Sequence, residues 1–151
     1  MLLIHMSHQG SGWMSTTFRT ACTAIDQLPY VENFDTYTGT AYNTDGTAPT
    51  CWFTSTTSTS YPAPHITGSG SYSYPNSAPN ALTFTGSNPG SDAYAVLPEF
   101  TDALNTIELA FAYRVESILY GTLTVGYVTD ANNPGTTFNT VATINKRFES
   151  S

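Results

Sequence analysis

Two stretches of alternating apolar and polar residues indicate the fold class of this chain. Apolar residues occupy every second position from Ile107 to Val115, and again from Leu123 to Tyr127. A period of two residues is typical of a half-buried β-strand. Further strands are predicted at Ala81–Phe84 and Phe138–Ile144, and Asp130–Gly135 is predicted to be a turn. The chain is therefore predicted to be all-β, with antiparallel strands.

The first half of the chain is divided by turn-forming residues. Short strands are predicted at Tyr30–Phe34 and Cys51–Thr54, and the Ser/Thr run at 55–60 is expected to be a surface loop or a polar edge strand. Residues 61–92 contain five X-Pro pairs, which favour loops because proline removes a ladder donor and restricts the residue before it. This stretch is where we expect a ligand surface.

Charge and length exclude several classes of function. The 151 residues suit one principal domain, and the formal net charge is -7 with only four Lys and Arg residues. A chain with so few cations has no basic face for nucleic acid or anionic lipid. No apolar run approaches the roughly 20 residues that cross a bilayer, so no membrane insertion is expected.

The two cysteines leave two alternatives open. Cys22 and Cys51 are either two buried thiols or one disulfide, which would contribute on the order of 3 kcal/mol by restricting the unfolded chain. The apolar residues of Met1–Met6 are too few for a secretory signal, so we expect any export signal to lie upstream.

Several motifs in fixed order resemble one family of bacterial surface modules. They are Phe18-Arg-Thr-Ala-Cys22, Leu28-Pro-Tyr-Val-Glu-Asn-Phe-Asp35, Pro49-Thr-Cys-Trp52, Ala95–Phe100, Asn105–Phe111 and Leu123–Asp130. From Ala21 to Ile144 the chain resembles the cleaved-adhesin and choice-of-anchor J modules of Bacteroidetes surface proteins, which are relatives of the MAM jelly rolls. The resemblance implies an antiparallel jelly-roll β-sandwich (concanavalin-like or MAM-like) that is secreted or held at the cell surface. It also implies that Cys22 and Cys51 form a disulfide.

The ends of the chain depart from this family. The resemblance implies further strands beyond Ile144, so we expect the jelly-roll domain, residues 21–151, to be truncated at its C-terminus. Residues 1–20 resemble, at Gly12–Thr20, the last strand of a fibronectin type III domain. We expect this segment to supply a missing strand, within the chain or by strand exchange in a homodimer, because unpaired strand edges are a liability.

The resemblance also points to calcium. Sandwich modules commonly fix a loop with a hard cation held by carboxylates. The resemblance indicates Glu32 and Asp35 as ligands, with Asp92 or Asp130 completing the site. The alternative is that Asp35 caps a turn through its side chain.

A glycan is the ligand class that the aromatic residues favour. Aromatic rings provide apolar faces for sugar C–H groups, and nearby polar groups accept hydrogen bonds. Many of the rings are expected in the core, including Phe84, Phe111 and Tyr113. The candidates for ligand binding lie in the proline-rich region and are Tyr61, Tyr72, Tyr74 and Tyr94, with structural packing as the alternative role.

No motif predicts catalysis. The glutamates near the alternating strands have no informative spacing, and no nucleophile motif, phosphate loop or His/Cys metal cluster is present in the sequence. The expected function is a non-catalytic binding or adhesion module for polysaccharide or host glycoprotein. A structural spacer is the second reading, and a glycan-active hydrolase is the third.

Overall fold

The computed structural model describes residues 22–68, 75–85, 90–115 and 122–144. Six strands lie in these ranges: β1 Phe53–Thr56, β2 His65–Gly68, β3 Asn80–Thr83, β4 Ala93–Val96, β5 Leu123–Val128 and β6 Phe138–Ile144. Helical structure in the same ranges is limited to a 3-10 turn at Leu104–Thr106 and a one-turn helix, α1, at Pro134–Thr137.

The strands form three separate antiparallel pairs. β1 pairs with β4, β2 with β3, and β5 with β6. The β5–β6 pair contains an irregularity between Val125 and Gly126, where a Cβ on Gly126 would collide with the carbonyl oxygen of Asn139. The all-β prediction is confirmed. The described residues form small antiparallel sheets and do not show a jelly-roll sandwich.

Strand β2 is the buried centre of the described structure. Ile66 is its apolar side chain with no exposed surface, and His65 and Thr67 are each 1% exposed. Thr67 is satisfied across the sheet by the hydroxyl of Thr83, at 2.6 Å. Burying polar groups costs free energy unless they are hydrogen-bonded, so this centre depends on polar pairing as much as on apolar contact.

The loop 40–47 is attached to β2 at both of its ends. Thr40 forms a parallel bridge with Thr67, through its N–H to the Ile66 oxygen at 3.1 Å and its oxygen to the Gly68 N–H at 3.1 Å. The Ile66 N–H donates to the Thr47 oxygen at 2.9 Å. Backbone hydrogen bonds at both ends fix where this loop leaves and rejoins the sheet.

The predicted strand at Ile107–Val115 is wrong for the chain as described. No strand is assigned there, and residues 108–113 form no backbone hydrogen bond with another described residue. Phe111 and Tyr113, which were expected in the core, are 46% and 43% exposed, and Phe84 is 45% exposed. The alternating pattern is present, but no neighbouring strand covers it within the described ranges.

The other strand predictions have mixed outcomes. Ala81–Phe84, Leu123–Tyr127 and Phe138–Ile144 are confirmed by β3, β5 and β6, with shifts of one residue at some ends. Tyr30–Phe34 is not a strand. Phe34 has a φ of 64°, and its N–H donates to the Glu32 carboxylate at 2.7 Å, so this segment is irregular and leads into a turn at residues 35–36.

The disulfide between Cys22 and Cys51 is confirmed, with the two Cα atoms 5.6 Å apart. Beside it, the Trp52 indole N–H donates to the Tyr30 hydroxyl at 3.1 Å, and the Trp52 ring meets Phe34 edge-on at 5.9 Å. The described residues contain no helix long and apolar enough to span a membrane. The predicted segment 1–20 lies outside the described residues.

Candidate functional site

An open groove of about 470 Å³ lies between two loops at the start of β2. We call it the Tyr61 groove, after the one aromatic residue that lines it. One wall is the turn Asn43–Asp45, and the other is the segment 59–62 that leads into β2. Its lining residues are Asn43, Thr44, Asp45, Thr59, Ser60, Tyr61 and Pro62.

Each wall is held by its own short-range hydrogen bonds. In the first wall, the N–H and the hydroxyl of Thr44 both donate to the Ala41 oxygen, at 3.2 and 3.0 Å. In the second wall, the Ser58 hydroxyl oxygen accepts from the N–H groups of Ser60 and Tyr61, at 3.2 and 3.1 Å. Ser and Thr side chains stabilise turns in this way because they replace backbone partners.

The buried imidazole of His65 joins the two walls. Its Nδ1 lies 2.9 Å from the Ala63 oxygen, just after the second wall, and its Nε2 lies 3.2 Å from the Ala41 oxygen, just before the first. A Cβ on Gly46 would collide with the His65 ring, so the first wall rests directly on it. The ring therefore lies between the segments that form the two walls, and in its neutral form it donates to one of the two oxygens at a time.

Several polar groups of the groove have no protein partner. Among the residues that the structure describes, the side chains of Asn43, Asp45 and Tyr61 form no hydrogen bond, and Tyr61 is half-buried. An amide, a carboxylate and a phenol at one solvent-facing groove provide donors and acceptors for a hydroxyl-rich ligand. Asp45 is the one charged residue in the lining.

The four tyrosines predicted to bind a ligand lie in different parts of the chain. Tyr61 lines the groove. Tyr94, on β4, packs against Phe138 with ring centroids 6.2 Å apart, and burial, then the nearby Asp92, raises the pKa of its hydroxyl. Tyr94 therefore contributes to packing and does not line the groove. Tyr72 and Tyr74 lie outside the described residues.

The predicted calcium ligands Glu32 and Asp35 lie in one loop, where both carboxylates accept hydrogen bonds from protein groups. Glu32 accepts from the Phe34 N–H at 2.7 Å and from the Tyr37 hydroxyl at 3.1 Å. Asp35 accepts from the Asn33 amide at 2.9 Å and from the Ser77 hydroxyl at 3.2 Å. These bonds give both carboxylates a role in shaping the turn.

The other two predicted ligands lie on separate loops. The backbone of Asp92 pairs with Thr57, with N···O distances of 2.9 and 2.8 Å. Asp130 accepts from the Asn133 amide at 2.6 Å and the Asn132 N–H at 2.9 Å, which lower the pKa of its carboxyl. In the described part of the chain, no three His, Cys, Asp or Glu residues are grouped to hold a metal ion. Calcium binding stays a prediction from the resemblance.

Sequence reasoning missed most of the groove. Asn43 and Asp45 were part of a turn-rich stretch, and Thr59 and Ser60 were part of a Ser/Thr run, with no aromatic residue or motif to single them out. The sequence contained no signal for them, because the burial of His65 and its contact with the Ala41 oxygen are visible only in the structure.

Comparison of the chain with protein-family models, curated proteins and solved structures finds no match. The function is therefore inferred from the chain's own residues.

Proposed function

We propose that this chain is an extracellular, non-catalytic module that binds polysaccharide or the glycans of host glycoproteins in the Tyr61 groove. The observation that carries the proposal is the unpartnered amide, carboxylate and phenol of Asn43, Asp45 and Tyr61 at one open groove. The jelly-roll fold, the cell-surface location and the relation to cleaved adhesins belong to the same proposal.

The shape and chemistry of the groove favour a glycan over an apolar ligand. Apolar ligands bind in concave sites lined mostly by hydrophobic side chains, whereas five of these seven lining residues carry a polar side chain other than tyrosine. A sugar ring offers hydroxyl groups to such residues and an apolar face to Tyr61. An open groove also admits the middle of a polymer as readily as its end.

The charge of the groove favours uncharged sugars. Asp45 is the only charged lining residue, and the whole chain has a net charge of -7. A sialylated or uronic-acid glycan would bring a second negative charge to Asp45 with no cation in the lining to compensate. The preferred ligands are therefore neutral glycans.

An extracellular location is supported by the disulfide between Cys22 and Cys51, because disulfides persist in oxidising compartments. A non-catalytic role is supported by the groove's lining, since a glycoside hydrolase requires two carboxyl groups and the lining contributes only Asp45. A structural spacer is the second candidate, favoured by the separation of Tyr61 from Tyr94, which packs on Phe138.

Binding to an array of neutral, sialylated and uronic-acid glycans, followed by titration calorimetry, tests the proposal. Tyr61→Ala should weaken binding of a neutral glycan by about 2- to 10-fold, the value of an aromatic contact of about 0.5–1.5 kcal/mol. Tyr127→Ala is the matched control, because Tyr127 is an exposed tyrosine on β5 that does not line the groove.

Asp45→Asn separates the charge preference from binding itself. It should raise the affinity for anionic glycans relative to neutral ones, since it removes the negative charge and keeps a polar side chain. A module that binds no glycan on the array would leave the spacer as the better reading. Equal losses from Tyr61→Ala and Tyr127→Ala would place any binding elsewhere.

A further inference from the structure

The exposed segment Ile107–Val115 has a self-complementary sequence. Read from both ends toward Phe111, the residues match in chemical type: Ile107 with Val115, Glu108 with Arg114, Leu109 with Tyr113, and Ala110 with Ala112. The apolar pairs fall on one alternating face. The acidic and basic residues fall opposite each other on the second face.

The middle of this segment, residues 108–113, has no strand partner among the described residues. Residues 108–113 form no backbone hydrogen bond with another described residue, and Leu109 is 56% exposed. Ile107 has extended dihedral angles, with φ -105° and ψ 136°. The Phe111 and Tyr113 ring centroids lie 6.1 Å apart, close to the roughly 6.6 Å that separates alternate residues on one face of a strand.

We propose that two copies of this chain pair through Ile107–Val115 as antiparallel strands, with Phe111 facing Phe111 at a two-fold axis. Antiparallel pairing of a segment with itself obeys two-fold symmetry, so each contact occurs twice. It pairs the backbone groups along the facing edges of the two copies and brings the exposed apolar faces into one continuous surface.

Charge complementarity selects the register. With Phe111 opposite Phe111, Glu108 of each copy faces Arg114 of the other, so the ladder has two ion pairs of opposite charge. A shift by two residues along the ladder removes this match. Each copy also has a net charge of -7, but at physiological salt the Debye length is about 8 Å, so this repulsion is screened more than the contacts in the ladder.

The test uses charge reversal and light scattering of the full chain at 150 mM salt. The unmodified chain should show concentration-dependent formation of a species of twice the monomer mass. Glu108→Arg alone, or Arg114→Glu alone, places like charges opposite each other at both ends of the ladder, and each should lower the dimer fraction at least tenfold. Circular dichroism checks that both variants keep the fold.

Mixing the two charge-reversed variants tests whether residues 108 and 114 face each other across the interface. The Glu108→Arg chain and the Arg114→Glu chain carry opposite charges at the facing positions, so an equal mixture should form a mixed dimer. The double variant Glu108→Arg/Arg114→Glu should again dimerise with itself. Hydrogen exchange should show protection of every second amide within 108–113 in each dimer and its loss on dilution.

Three outcomes would overturn the inference. The first is a monomer at every concentration. The second is single variants that dimerise as well as the unmodified chain, which would place the interface elsewhere. The third is a dimer abolished by deletion of residues 1–20 and unaffected by charge reversal, which would assign the pairing to strand exchange by the N-terminal segment.

Discussion

The Nε2 atom of His65 lies 3.2 Å from the carbonyl oxygen of Ala41, a residue 24 positions earlier in the chain. Its Nδ1 lies 2.9 Å from the Ala63 oxygen, so the ring lies between the segments that lead to the two walls of the Tyr61 groove, and only 1% of its surface is exposed. We therefore expect the shape of the groove to depend on a residue that is not part of its lining.

Adding one methyl group beneath the groove should disturb it. In Gly46→Ala the new Cβ would collide with the His65 ring, which is 1% exposed, and with the Thr40 hydroxyl, so we expect a loss of about 1–3 kcal/mol in the free energy of unfolding. Urea unfolding measures this loss. Gly135→Ala is the control, since its Cβ would lie 3.7 Å from the Tyr94 hydroxyl, an ordinary contact. Equal stability of the two variants would contradict the role of His65.

Asn80 should be intolerant of an isosteric change. It is 4% exposed, and its amide donates to the Phe34 and Tyr37 oxygens at 2.9 and 2.6 Å. Asn80→Asp replaces this donor by an oxygen facing two carbonyl oxygens, so we expect a loss of about 1–3 kcal/mol, measured by urea unfolding. The exposed Asn139, whose amide donates to the Thr137 oxygen, provides the control Asn139→Asp, which should cost much less.

Reduction of the disulfide should destabilise the chain. Cys22 and Cys51 are 29 positions apart, and a cross-link over such a loop contributes about 3–4 kcal/mol through the unfolded chain. Melting with and without reductant measures the effect. The variant Cys22→Ser/Cys51→Ser should melt at the reduced chain's temperature and be insensitive to reductant. Two alkylated thiols in protein purified without reductant would show that the bond does not form.

Acid should remove a contribution from Asp130. Hydrogen bonds from Asn133, and then from the Asn132 N–H, lower the pKa of its carboxyl in the folded chain. The ionised form therefore favours folding above the unfolded pKa of about 4, and this contribution is lost as the pH falls through the lower folded pKa. Asp130→Asn should reduce the dependence of the melting temperature on pH in that interval. Asn133→Ala should give a slope between those of the unmodified chain and Asp130→Asn. Parallel curves for all three proteins would refute the assignment.

The β5–β6 hairpin is the one strand pair in the described residues for which the sequence predicted both strands, and its partners lie nearby in the chain. β5 and β6 are joined by the turn that Asp130 caps, so local pattern and turn chemistry specify the hairpin. Ile107–Val115 has the same alternation but no partner among the described residues. An alternating pattern indicates that one face of a strand is suited to burial, but it does not indicate which other strand packs or pairs with it.

The site was less predictable than the fold. Tyr61 was identified by its ring, but its neighbours Asn43 and Asp45 reach the groove because of hydrogen bonds between Thr40 and β2 and through His65. Such long-range contacts leave no periodic trace in a sequence. The acidic residues Glu32 and Asp35 suggested a metal, while the donors that the structure places on them belong to the protein: the Phe34 N–H on Glu32 and the Ser77 hydroxyl on Asp35.

The link between Cys22 and Cys51 also determines how the chain would respond to mechanical load. A force applied at the two ends of the chain is transmitted through the disulfide, so the 29-position span between the cysteines cannot extend. The contour length released on unfolding is therefore about 100 Å shorter than it would be without the disulfide. The turn Asn43–Asp45 lies inside this shielded span, and Tyr61 lies outside it. Tension would therefore reach one wall of the groove along the backbone, and the other only through its noncovalent contacts with β2.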